Sequence, residues 1–89
     1  MQLSEAQKRV LRTMERIAAE EIQVIRPKGG MAFYCTKKDH SLRGPHWRTL
    51  CAMERKGLLE SDWSNFDLVL FFLTDKGHEI AKELQDDQD

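Results

Sequence analysis

The chain has 89 residues, 40% of them hydrophobic and 33% charged, with a formal charge of −1. That length makes room for one domain, residues 1–89, with a modest core, because a chain this short buries only about 60–65% of its unfolded surface; the composition excludes disorder over most of its length. The longest apolar run, residues 68–73, is far below the roughly 18 residues that cross a bilayer, and no basic-then-apolar leader follows Met1, so a cytoplasmic protein with no membrane partner is expected.

In chain order, Ser4 and Gln7 fit a capping box, after which Val10, Leu11, Met14, Ile17, Ala18 and Ile22 recur at helical spacing and predict a helix over 5–21. Arg26-Pro27-Lys28-Gly29-Gly30 ends it. Residues 31–35 are short, apolar and aromatic and read as an edge strand. Thr36 caps a short helix over 37–42, then Arg43-Gly44-Pro45 turns the chain into a second helix over 45–56, with Pro45 at the position where a helix tolerates it. Thr49, Leu50 and Met53 take its core side. A hairpin over 58–73 follows, its loop rich in turn formers at 62–67. Thr74 caps a last helix over 75–85, and residues 86–89 form an acidic tail.

Charge is distributed unevenly along these elements. Arg26 to Lys56 holds eight Lys/Arg against Asp39 and Glu54, whereas residues 57–89 carry nine acids against two lysines. A basic middle beside an acidic end points to a surface that meets a polyanion.

Catalytic and metal chemistry find little support. There is no Gly-rich phosphate loop and no nucleophile elbow, and so short a chain leaves little volume for a substrate pocket, so the protein is expected not to be an enzyme and to use no cofactor. Cys35, His40, His46 and Cys51 match no common zinc spacing, and two cysteines make no disulfide framework. Reduced, packed thiols are the expectation.

The run Thr49-Leu50-Cys51-Ala52-Met53-Glu54-Arg55-Lys56-Gly57-Leu58-Leu59 resembles the end of the recognition helix in MarR-like bacterial regulators, and Leu73-Thr74-Asp75-Lys76-Gly77 resembles the Leu-Thr-x-x-Gly step from wing into last helix in the same families. Together they cover about half of the chain, with room between them for one hairpin. The resemblance implies a mainly helical α+β fold: a winged helix-turn-helix with a three-helix core, a short β-hairpin wing and a C-terminal helix. It further implies a transcriptional regulator that binds double-stranded DNA sequence-specifically, with the helix from Pro45 in the major groove.

In that mode His46, Trp47 and Arg48 lie nearest the base edges, and Arg48 is suited to bidentate pairing with guanine. Lys37, Lys38, Arg43, Lys56 and Lys28 contact phosphates. Against this stand Asp62 and Asp67 in the wing, with no cation between residues 58 and 75. The alternative is a winged-helix module that binds a protein through Trp63, Phe66 and Asp62, like a small phage- or plasmid-type factor. Residues 68–73 are apolar on both strand faces, so something must cover the second face: a helix of the same chain, or a second subunit. A homodimer is expected, joined through the terminal helices if it follows the resembling regulators.

Overall fold

A computed structural model describes residues 2–27, 30–37 and 42–86. Helix α1 runs Glu5–Arg16. Its start is the predicted capping box: Gln7 N–H donates to Ser4 Oγ and Ser4 N–H to Gln7 Oε1, each at 3.1 Å. Val10, Leu11 and Met14 are buried on its inner face.

The helix stops five residues earlier than its spacing predicts. Ala18 takes φ +51°, its N–H donates to Glu15 O and the next N–H, of Ala19, to Met14 O. That pair of bonds is a Schellman end, which closes helices most easily with glycine in the left-handed position. Beyond it Glu21–Ile25 forms strand β1, because Ile22 and Val24 alternate into the core and the β-branched side chains favour extended backbone. Ala18→Gly is accordingly expected to stabilise the domain by about 0.5–1 kcal/mol, read as a raised urea midpoint at unchanged slope.

Strand β2, Met31–Cys35, pairs antiparallel with β1, and β3, Leu42–Arg43, pairs antiparallel with β2. Helix α2 spans Trp47–Arg55. Its end repeats the Schellman bonds of α1, here with Gly57 at φ +78°, and swings Leu58 into the core. Strands β4, Leu59–Asn65, and β5, Leu68–Leu73, form the predicted hairpin. Helix α3, Asp75–Asp86, closes the chain. Thr74 Oγ1 accepts from Gly77 N–H at 3.1 Å and donates to Gly57 O at 2.6 Å. A Cβ at Gly77 would stand 2.2 Å from Leu58 O, so only glycine lets α3 approach that closely.

The five strands make one antiparallel sheet in the order β3-β2-β1-β5-β4. Core residues of all three helices meet Ile22, Val24, Ala32, Tyr34, Val69 and Phe71, which share one face of the sheet, so the helices form a single layer over that face.

This corrects the expected fold class. The chain is α+β with a five-stranded sheet, not a mainly helical winged helix-turn-helix. The helix expected over 37–42 is not the partner of α2: Leu42 and Arg43 extend the sheet, where β2 would otherwise offer an unpaired edge. Residues 38–41, most of that expected helix, lie outside the described residues, as do 87–89 of the acidic tail. The strand over 31–35 forms as predicted but is internal, flanked by β1 and β3. The hairpin is no free wing either, since β5 pairs with β1 from Leu68 to Phe71.

Candidate nucleic-acid interface

Arg9, Arg12 and Arg16 recur at three and four residues on α1, which sets them on one flank of the helix, largely opposite the buried stripe of Val10, Leu11 and Met14. Between that flank and the β3–α2 connection runs a groove of about 520 Å³, bordered by Arg9, Arg16, Tyr34, Arg43, His46 and Thr49. Arg9 and Arg16 also border a second cleft, of about 360 Å³, with Arg12, Gln85 and one acid, Glu5. The arginine flank is thus open to both sides.

Three observations describe its electrostatics. Among the described residues the ion pairs are Lys8–Glu5 and His78–Glu15, and neither uses an arginine. Arg12 Nε is buried without a hydrogen-bond partner, an arrangement that costs free energy until an acceptor arrives. Burial raises the Tyr34 pKa above the ordinary tyrosine value, so its hydroxyl stays neutral at physiological pH. The groove lining therefore combines hydroxyls and cations with the apolar Val10, Leu42 and Pro45.

The residues expected to read bases separate. His46 is the N-cap of α2, makes no side-chain capping bond and borders the groove. Arg48 is exposed on the first turn of α2. Trp47 instead packs inward, edge-on to Phe71 at 5.7 Å and to Trp63 at 6.0 Å between ring centroids, so its ring serves the core.

The expected phosphate contacts also divide. Lys37 is exposed; Lys28 and Lys38 lie outside the described residues. Arg43 borders the groove from the sheet edge. Lys56 Nζ donates to Gln7 Oε1 at 2.8 Å and to Gln2 O at 2.9 Å, which ties the end of α2 to the start of α1. Trp63 and Phe66 are 53% and 96% exposed, and Asp62 is exposed near them on the hairpin.

Sequence reasoning gave the arginines of α1 no role. The available signal was their spacing, three arginines on one flank that they share with the single acid Glu5.

Cys35 and Cys51 are free thiols, and burial raises the pKa of both, so both are protonated at neutral pH. The described residues contain no group of three or more His, Cys, Asp or Glu placed to hold a metal; His40 lies outside them. No helix among them is long and apolar enough to cross a membrane. Comparison with family models, with curated proteins and with solved structures gives no significant match for this chain.

Proposed function

We propose that the protein binds double-stranded DNA, with the arginine flank of α1 and the adjoining groove holding the phosphate backbone of one strand. The observation that carries this reading is the convergence of Arg9, Arg12 and Arg16 on adjoining clefts, without an ion pair to any described carboxylate. From Arg9 to Arg16 the helix rises about 10.5 Å, roughly three base-pair steps along the duplex axis. Such contacts fix position and carry no sequence information. Readout falls to His46 and Arg48 at the start of α2, and with it the protein acts as a transcriptional regulator that occupies a short site. The likeness of residues 49–59 to MarR-like regulators supports a DNA partner, although the fold around those residues differs.

The test is a salt titration of binding to a fluorescent duplex, read by anisotropy. Binding is expected at low salt, with log Kobs falling against log salt at a slope of about −3 or steeper. No binding at low salt, or binding indifferent to salt, would overturn the reading. A second reading rests on Phe66, almost fully exposed at the hairpin tip beside the half-exposed Trp63: a protein partner docks there. On that reading the duplex anisotropy stays flat at every salt concentration.

A further inference from the structure

The sheet has a second face, and no described helix covers it. Register sets its residues in rows. Arg43 stands opposite Phe33, Phe33 opposite Gln23, Gln23 opposite Leu70 and Leu70 opposite Asp62, one line across all five strands. A parallel row joins Met31, Ile25 and Leu68, and Phe72 stands opposite Glu60. None of these side chains belongs to the core cluster; Ile25 and Met31 are 43% and 48% exposed. An antiparallel sheet that faces water carries polar residues on that side. Here the three inner strands are mostly apolar, and the charges stand at the two edges with opposite sign.

We infer that this face is the interface of a homodimer, two copies stacked sheet to sheet about a two-fold axis that runs along β1. The charge pattern selects both the occupant and the axis. Because β1 is the middle strand, rotation about an axis along it lays β1 on its own copy, β5 on β2, and the β4 edge of one protomer on the β3 edge of its partner. Arg43 then meets the carboxylates of Glu60 and Asp62 twice, once at each edge, which is the self-complementarity of an isologous contact. The other in-plane axis, across the strands, lays Arg43 on Arg43 and Asp62 on Asp62 and is disfavoured by like charge. Glu21, at the end of β1, is set near its own copy by the chosen axis; it stays at the rim, where its Oε2 accepts from Gln23 Nε2 at 3.2 Å.

The area fits a weak dimer. Four strands of about five residues or more and the two-residue β3, spaced about 4.8 Å apart, present a face of at most roughly 19 by 16 Å, and stacking two such faces covers on the order of 600 Å² in plan, the size of a weak, concentration-dependent contact. The terminal helices do not compete for the role. α1 packs along α3 within one chain, with Gln85 Nε2 donating to Arg12 O at 2.9 Å. The assembly is a helix–sheet–sheet–helix sandwich, with the cationic grooves on its two outer layers. It therefore presents them to separate duplex segments, not to adjacent half-sites. The dimer itself stands independently of the DNA reading.

Sedimentation velocity on the full chain across the micromolar range tests it. The wild-type protein is expected to approach twice the monomer mass as concentration rises. Leu70→Glu is expected to hold the monomer mass throughout, and Gln23→Arg, which sets like charges face to face on the axis and is easily solvated in a monomer, to do the same with an unchanged circular dichroism spectrum. Arg43→Asp is expected to weaken the dimer, and the exchange Arg43→Asp with Asp62→Arg to restore it. A wild-type monomer at the highest concentration, a Gln23→Arg dimer, or an exchange that fails to restore association would each overturn the inference. Gln23 and Leu70 lie on the sheet face turned away from the helices, so Gln23→Arg and Leu70→Glu leave the arginine flank intact and the two readings fail separately.

Discussion

Phe71→Ala is expected to destabilise the domain by about 3–5 kcal/mol, a large part of the total stability of roughly 5–10 kcal/mol that a chain of this length holds. Phe71 is 1% exposed and sits on β5, between Ile22 of β1 and Ser61 of β4. Its ring receives the edge of Trp47, which in turn meets Trp63. One substitution therefore leaves a cavity under the sheet and removes the platform that seats α2. Urea denaturation followed by tryptophan fluorescence reads both effects: a lowered midpoint, and a red-shifted native spectrum as Trp47 loses its neighbour. A cost below about 1 kcal/mol would show that the helices carry the core without the sheet.

Replacing Arg9, Arg12 and Arg16 together by glutamine is expected to weaken duplex binding at low salt at least about a hundredfold and to make the salt slope shallower by about 2.7, the contribution of three phosphate contacts. Glutamine keeps α1 helical, since its propensity is close to that of arginine. Stability is expected to hold or rise, because among the described residues none of the three arginines has an ion pair and the unpartnered Nε of Arg12 disappears. The variant thus separates binding from folding. An unchanged slope with a normal thermal midpoint would remove α1 from the interface and return the phosphate role to the sheet edge and α2.

Legibility in the sequence followed the range of the forces involved. The Ser4–Gln7 box, Gly57 after α2 and Thr74 before α3 act within a few residues, and each end they mark stands where it was expected. The same local logic failed at Ile17, Ala18 and Ile22, whose spacing suits a helix as well as a turn followed by a strand. The outcome there depends on β2 and β5, which flank β1 and satisfy its backbone groups. Leu42 and Arg43 became a strand for the same reason.

The candidate interface shows the same division. His46 and Arg48 stand exposed at the start of α2, a position that local signals mark, whereas Trp47 beside them packs against the core, a matter of where Phe71 and Trp63 come to lie. The arginines of α1 were visible as letters, but the groove they border is made by α1, β2, β3 and α2 together.

By itself the sequence determined the helix caps, the apolar stripe of each helix, the β4–β5 hairpin, the uneven charge, and the fact that residues 68–73 need cover on both sides. Those are properties of short windows, set by backbone hydrogen-bonding needs and side-chain periodicity. Only the tertiary structure decided that five strands join into one sheet, that all three helices take one side of it, and that no described helix covers the second apolar face. Strand pairing and layer choice depend on contacts between residues far apart in the chain, and no local pattern encodes which strand will be the neighbour of which.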